Sequence, residues 1–396
     1  MALAPWRHNW VAPVLERYSW QTDVIEARNG AETRRALREF PRRTLEYRAL
    51  VTGAGAADLE ARSWAYGTSL WELPLWADQA RLEADIVLGA TAVPCETDLR
   101  EFEEGGQAVL WAAWDDFEVV DILSVASNGL TLEAGTAAAW EAGARVVPLV
   151  RARRSLSASI TRVTAGVGDS GLVWDQYDPV QLTPAAAAVS YRGIEVLEDR
   201  PNRAEGMDLD LVRKAETIDP STGLVTILDQ TGRPRVTTML SFLWRTRALV
   251  LAGRDFLFRR AGRRHAFWMP TWQQDLEVVA DIEAADDTLV VRDIDVEGSF
   301  GVVPGRQDIR IDIAGLDPIY RRVTSVDAGA PGTEVLTLDA AIGVDAAVAT
   351  VRRVSWLSLC RLASDTIEVS RATAGVAQAA FGVVTLDEDE TADFTA

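Results

Sequence analysis

Length, composition and charge set the first limits on what this chain can be. Its 396 residues exceed one ordinary domain, and 48% hydrophobic with 25% charged residues is typical of a soluble globular protein, not a disordered or fibrous one. Forty Lys and Arg residues against 59 Asp and Glu residues give a net charge of −19, which argues against surfaces for nucleic-acid phosphates or anionic membranes.

The N-terminal region and the cysteines narrow the class further. Residues 1–20 hold no apolar stretch typical of a signal peptide, so we expect none. No run of about 18 apolar residues is present to span a membrane. Cys95 and Cys360 are too few for a disulfide framework or a zinc site, and we expect two buried thiols.

Most of the chain has the two-residue periodicity of β-strands. The predicted strands are residues 22–28, which lead into the hairpin signal Asn29-Gly30, then 129–132, 224–228, 289–296, 308–313 and 333–338. We take 224–228, before Thr231-Gly232, as the counterpart of 22–28. Short strands with turns about every 8–12 residues predict an all-β protein built from sandwich- or barrel-like units.

Two short helices interrupt the strand pattern. The first is predicted over residues 56–66 and the second over 254–261. Gly67 and Gly262 follow them, and glycine in the left-handed conformation is a common helix stop. A Trp/Pro/Trp segment follows each helix. Because proline cannot donate to a β-ladder, we expect a strand entry or a sheet edge there.

The chain repeats itself with a long period, which is the feature to settle before any local structure. Five matches occur in the same order in both halves, at offsets between 196 and 209 residues. They are 47–51 with 246–250, 71–76 with 268–272, 85–86 with 281–282, 130–132 with 336–338, and 162–167 with 371–376. The second match sets Trp71, Pro74 and Trp76 beside Trp268, Pro270 and Trp272.

The repeat predicts the domain organisation. Residues 1–172 form a first β-rich unit and 191–386 a second, each with one short α-helix. The intervening segment 173–190 has the proline-broken composition of a linker. Residues 387–396 are predicted to be a solvated acidic tail. We expect the indole rings of the matched segments to close the core between helix and sheet.

Catalytic and cofactor motifs are missing from the sequence. There is no G-x-S-x-G, H-E-x-x-H, C-x-x-C, Walker or G-x-G-x-x-G pattern. His8 and His265 are expected to make surface contacts, not to act as bases. We therefore predict no catalytic residues, no metal and no cofactor.

Two weaker alternatives stay open. A carboxylate-dependent glycosidase would need two facing acids, for which Asp115, Asp116 and Glu118, or Asp286 and Asp287, are candidates. A carbohydrate-binding β-sandwich protein or adhesin would need exposed paired tryptophans, and these would be Trp71 with Trp76 or Trp111 with Trp114.

Arginine clusters stand out in an acidic chain. We take Arg259, Arg260, Arg263 and Arg264 as a candidate interface, since arginine pairs with carboxylates in two-pronged geometry and is enriched at protein interfaces. Pairing within the chain is the equal alternative.

The segment 256–270 resembles the F-x-x-x-x-G-R-x-x-x-F-W-x-P pattern of tail-tip proteins in long-tailed bacteriophages, the siphophages. Residues 191–202 and the closing stretch 361–369 resemble further parts of those distal-tail-like proteins. The similarity is clearest over residues 190–385. The first half lacks the Gly-Arg pair and has Trp71-Glu-Leu-Pro74 in place of Phe-Trp-Met-Pro.

This resemblance implies a structural virion protein of the tail tip or baseplate, not an enzyme. Such proteins form rings of three or six copies between the tail tube and the hub, fibre or receptor-binding proteins, and are made in the host cytoplasm. An acidic wall would let DNA pass without sticking, because like charges repel. Three copies of a doubled chain could mimic six units.

Overall fold

The computed structural model describes residues 2–155, 159–164, 166–204 and 206–386. The predicted acidic tail, 387–396, lies outside them. The all-β prediction is confirmed: strand is the dominant secondary structure of the described residues, and little of them is helical. Three helices accompany the strands, namely α1 (Ala54–Ala65), α2 (Arg247–Arg260) and the four-residue α3 (Val296–Ser299), with 3-10 turns at Trp76–Asp78 and Val348–Thr350.

Fourteen strands belong to the first half of the chain. They are β1 (Ala2–Leu3), β2 (Val14–Ser19), β3 (Thr22–Glu26), β4 (Glu32–Ala36), β5 (Arg42–Thr52), β6 (Leu70–Pro74), β7 (Ala80–Arg81), β8 (Ala92–Pro94), β9 (Gln107–Ala113), β10 (Asp116–Ala126), β11 (Gly129–Leu132), β12 (Arg145–Arg154), β13 (Ser159–Thr164) and β14 (Val167–Gln176).

The second half contributes the other fourteen. They are β15 (Ser190–Tyr191), β16 (Ile194–Glu195), β17 (Asp210–Val212), β18 (Ala215–Ile218), β19 (Thr226–Asp229), β20 (Arg235–Trp244), β21 (Phe267–Pro270), β22 (Thr288–Arg292), β23 (Asp308–Ile313), β24 (Ile319–Ala328), β25 (Thr333–Leu338), β26 (Val351–Leu362), β27 (Thr366–Thr373) and β28 (Val376–Thr385).

The strands of each half pair in a defined order. In the first half, β5 pairs with β14 and β14 with β13, while β12 pairs with β6, β7, β9 and β14, and the series β9–β10–β11–β8 continues the sheet. In the second half, β20 pairs with β28 and β28 with β27. There β26 pairs with β21, β23 and β28, and β23–β24–β25–β22 continues.

Each half holds two main clusters of buried side chains. One lies beside the helix, around Trp71 in the first half and around Phe267 in the second. The other lies among the shorter strands, around Leu110 and around Ile309. A smaller fifth cluster surrounds Trp268. Because these clusters gather the buried apolar side chains, they supply most of the burial that stabilises the fold.

Several predicted boundaries move. The helix predicted at 254–261 begins seven residues earlier, where the Thr246 side chain accepts a hydrogen bond from the Leu249 N–H, a standard N-terminal cap. Its end is left-handed as expected, through Ala261 and Gly262. Helix α1 ends at Ala65, and Gly67 beyond it has no positive φ. The predicted linker also begins too early, since β14 continues to Gln176.

Two sequence pairings are wrong at the level of structure. Residues 47–51 lie in β5, but their match, 246–250, caps and opens α2. Residues 224–228 belong to the second strand of their hairpin, so the counterpart of β3 is β18, not this segment. Within the described ranges, no helix is both long and apolar enough to cross a membrane.

Candidate assembly interface

Strand β2 joins the two halves of the chain. One edge of β2 pairs antiparallel with β5 of its own half, and the other edge pairs antiparallel with β27 of the second half. Tyr18 and Trp20, at its end, are buried in the helix-side cluster of the second half. Phe258 of α2 packs edge-on against both rings, with centroid distances of 5.2 and 5.5 Å. A strand of one half therefore completes the sheet and the core of the other.

A buried ionic network lies beneath this strand. The Glu16 carboxylate is 2.7 Å from Arg371 Nε of β27 and 3.4 Å from Arg43 Nη2 of β5, and it accepts the Tyr18 hydroxyl at 2.8 Å. Glu101 accepts from Arg43 Nη1 at 2.6 Å and also pairs with Arg254 of α2. Each charge thus has an opposite partner, as a buried charge requires.

The charges fix the ionisation of this network. Burial opposes the ionisation of Glu16, but Arg371 and Arg43 outweigh it and lower its pKa to about 2. Burial likewise opposes the charge on Arg371, yet the Glu16 carboxylate raises the pKa of that guanidinium. The carboxylates and guanidiniums of the network are therefore all charged at neutral pH, and their attraction holds the two halves together there.

A second contact, the clamp of Gly262, Arg263 and Asp365, holds the start of β3. Asp365 accepts the backbone N–H groups of Thr22 at 2.8 Å and Arg263 at 2.9 Å, while Arg263 Nη2 donates to the Thr22 carbonyl at 2.7 Å. A Cβ on Gly262, at φ +69°, would lie 2.4 Å from Asp365 Oδ1, so glycine is required there. The Gly262-Arg263 pair and Asp365 thus act together at the joint.

The β3–β4 hairpin is also seated on the second half. The Arg361 guanidinium holds the buried Glu32 carboxylate in two-pronged fashion at 2.6 and 2.8 Å. Glu26 pairs with Lys214 at 2.8 Å and with Arg235 at 3.2 Å. Hairpin β3–β4 therefore touches the segment that opens hairpin β18–β19.

Two of the described strands that have a ladder partner on one side only are β13 and β17. Within the described ranges, β13 pairs with β14 alone and β17 pairs with β20 alone. By position in their halves, β13 corresponds to β27 and β17 to β2, the two strands that meet at the joint. An open strand edge presents unpaired backbone donors and acceptors and invites another strand.

Most of the arginines predicted as an interface form ion pairs with acids of the same chain. Arg259 and Arg260 both pair with Glu195, and Arg263 belongs to the clamp described above. For these three, the structure gives the alternative of intrachain pairing. Arg264 is half-buried, and an interface role for it stays a prediction.

The repeat-matched tryptophans are buried. Trp71, Trp76, Trp268 and Trp272 all lie in the interior, so none can present a sugar-stacking platform. Pro74 and Pro270 each end a strand, so the expected strand entry is wrong for both. Trp111 and Trp114 are half-buried, and Trp64 is the one tryptophan with a fully exposed ring among the described residues.

Two of the candidate acids accept hydrogen bonds from nearby donors, and two others are exposed. Glu118 accepts the Trp140 indole N–H at 2.9 Å, and Asp286 accepts the Glu283 N–H at 3.0 Å. Asp115 and Asp116 are exposed at the turn into β10. Over the described residues, no three His, Cys, Asp or Glu side chains could share a metal ion.

His8 and both cysteines are buried. His8 is buried against Trp10, with ring centroids 3.9 Å apart, so the expected surface contact is wrong for it. Burial, with Arg7 and Arg145 nearby, lowers its pKa to about 3, which keeps it neutral. Both cysteines are buried thiols, as predicted.

The sequence reasoning missed the main interface residues. Glu16, Glu101 and Arg371 lie far apart in the sequence, and no spacing pattern links them. The signal that could have found them is the charged residue at an inward position of a strand, such as Glu16 among Val14 and Tyr18. No protein-family model matches this chain, and no curated protein matches it either.

Proposed function

We propose that this chain is a duplicated structural protein of a bacteriophage tail tip or baseplate, whose copies close into a ring between the tail tube and the hub or receptor-binding proteins. The role is geometric and not catalytic. The observation that carries it is the joint, in which β2 of one half completes the sheet of the other while β13 and β17 stay open.

The order of strand pairing supports the duplication. The pairings of β5, β9, β12 and β14 recur, strand for strand, among β20, β23, β26 and β28. Thr22 and Ala215 open hairpins with the same register, 193 positions apart. Gly53 and Thr246, the caps of α1 and α2, differ by the same 193 positions.

The joint supports ring formation. A contact between unlike edges is heterologous, and repeating such a contact from copy to copy gives a closed ring or an open fibre. Within one chain this contact has already formed once. The net charge of −19 suits a channel wall that DNA passes, because it repels phosphate.

The test is the mass of the purified protein by light scattering, with negative-stain images. We expect rings of three or six chains, with a central hole. A chain that stays monomeric at every concentration, alone and with tail-tube protein, would contradict the proposal. Binding to a glycan array by such a monomer would favour the carbohydrate-binding alternative instead.

A further inference from the structure

We propose that β17 of one chain pairs antiparallel with β13 of the next chain, and that this contact repeats the internal joint of β2 with β27. The inference rests on the proposed function, which it deepens by naming the surface through which the ring closes. The partner is a second copy of this chain. Four features of the described residues carry it.

The first is that the two open edges are those the internal joint uses. In the internal joint, β2 extends a sheet that ends in β27, and β27 is the outer strand of the β27–β28 hairpin. The β13–β14 hairpin has the same form at the end of the first half. Strand β17 precedes its hairpin and pairs with β20 as β2 pairs with β5. Addition of a strand to such an edge is a common mode of recognition.

The second feature is exposed apolar surface at the matching positions of β17. Leu209 and Leu211 lie 193 positions after Glu16 and Tyr18. Glu16 and Tyr18 are 1% and 0% exposed in the internal joint, whereas Leu209 and Leu211 are 49% and 59% exposed. Each leucine is exposed to water at a position where the counterpart residue is buried. Such exposed apolar residues indicate a surface that another molecule covers.

The third feature is on the opposite partner, helix α1. Trp64 of α1 is 85% exposed, a large apolar ring left in water. Only two residues of α1 are buried against five of α2, whose Phe258 packs on Tyr18 and Trp20 of the internal joint. Helix α1 thus leaves apolar surface uncovered beside the open edge of the first half.

The fourth feature is a surface that could bind β18–β19, the hairpin that follows β17. Arg235 and Arg361 hold hairpin β3–β4 in the internal joint. At the matching positions of the first half are Arg42 and Arg153, which line an open groove of about 860 Å³. Hairpin β18–β19 of the neighbouring chain would lie there.

The internal joint also gives the register. It sets Arg17 opposite Glu368 and Glu16 opposite Val369. Hairpins β13–β14 and β27–β28 differ by 209 positions, as Val167 and Val376 show. The same register in the joint between chains sets Asp210 opposite Ser159 and Leu209 opposite Ile160.

Disulfide formation tests this register directly. We would make two double variants, Asp210→Cys with Ser159→Cys and Leu209→Cys with Ile160→Cys. Opposed residues of antiparallel strands have Cα atoms about 4.5–5.5 Å apart, within disulfide reach, and one of two adjacent pairs has the closer spacing. The control is Leu123→Cys with Val279→Cys, two exposed positions outside both edges.

We expect mild oxidation to give covalent oligomers up to the ring size for at least one edge pair, and monomers for the control. The natural Cys95 and Cys360 are buried and do not compete. Rings that form without cross-linking at either pair would overturn this interface and leave the proposed ring intact. Monomers without cross-links at any concentration would overturn both.

Charge placed on the exposed apolar residues gives an independent measurement. Leu211→Asp and Trp64→Asp should each weaken association about tenfold or more, with an unchanged unfolding midpoint, because both side chains are exposed in the single chain. Leu123→Asp, also exposed, is the control and should assemble normally. Normal assembly of both edge variants would overturn the interface.

Discussion

The alternation of side chains between the two faces of a strand decides which core each matched tryptophan enters. Counting back three residues from the matched prolines gives Trp71 in the first half and Phe267 in the second, and both belong to the helix-side clusters. Trp268, the residue that looks like the match of Trp71, points to the opposite face and belongs to another cluster. Because side chains alternate between faces of a strand, a shift of one residue changes the whole environment.

Removal of the buried indole rings of Trp76 and Trp272 should destabilise the protein. Trp76→Ala and Trp272→Ala should each cost about 3–5 kcal/mol of unfolding free energy, as large aromatic deletions do. The Trp76 ring contacts Trp111, and Trp272 lies under the Arg310 guanidinium at 4.6 Å. Urea unfolding measures this. Trp64→Ala, at an exposed ring, is the control and should change little; equal stability of all three would refute the assignment of buried cores.

The stability of the joint should depend on pH through Glu16. Its pKa is lowered to about 2 from the usual 4.5, so its contribution is full above about pH 5 and is lost as the pH falls toward 2. Glu16→Gln should cost about 3–5 kcal/mol at neutral pH, because Arg43 and Arg371 lose their partner. The loss should shrink at low pH in urea titrations.

The matched control for Glu16 is Glu368→Gln. Glu368 pairs with Arg17 at 2.8 Å in the same two strands, but both side chains are half exposed. Exposed pairs contribute about 0–1 kcal/mol. A Glu16→Gln variant as stable as this control would show that the network does not hold the halves together.

At the scale of elements, α1 and α2 differ because only one of them is covered. The sheet beside α2 is completed by β2, and Phe258 packs on Tyr18 and Trp20. Helix α1 buries only Gly55 and Leu59, and its Trp64 ring is exposed. The burial of α2 therefore depends on the strand that β2 adds beside it.

The approach of α2 to β20 makes glycine necessary at position 253. A Cβ at Gly253 would lie 2.1 Å from a ring carbon of Trp244. An exposed Gly→Ala change in a helix normally stabilises it by about 1 kcal/mol, so the sign should invert here. Gly253→Ala should lower the thermal midpoint by several degrees; the neighbouring exposed Ala252→Gly should have only the smaller propensity effect. A rise in the midpoint of Gly253→Ala would show that the helix is not packed this closely.

At the scale of the whole molecule, the two joints of the proposed ring differ in chemistry. The internal one has the ionic network, and Asp365 clamps the hairpin start. At the proposed joint between chains, the positions of Glu16 and Tyr18 are Leu209 and Leu211. In the proposed ring, each chain therefore holds one joint permanently and leaves the other to assembly.

This difference predicts an order of dissociation. Raising urea should first reduce the scattering mass from ring to single chain, and only at higher urea should tryptophan fluorescence report unfolding. The joint between chains lacks the clamp and the network, so it should fail first. Coincident loss of mass and fluorescence would contradict this order.

The sequence by itself determined the strand-rich class, both main helices and the two buried cysteines. These follow from local physics: the alternation of side chains in strands, the signals that end helices and the burial preference of cysteine. It also indicated a repeat, although its first match joined a strand to a helix.

Only the tertiary structure decided where the two halves meet. The joint brings Glu16 to Arg371 and Thr22 to Asp365 across more than 300 residues, and no local pattern encodes such distances. It also decided which edges stay open. Hydrogen-bond partners of a strand are set by what folds beside it, so β2 and β17, though matched in position, differ in whether their outer edge is paired.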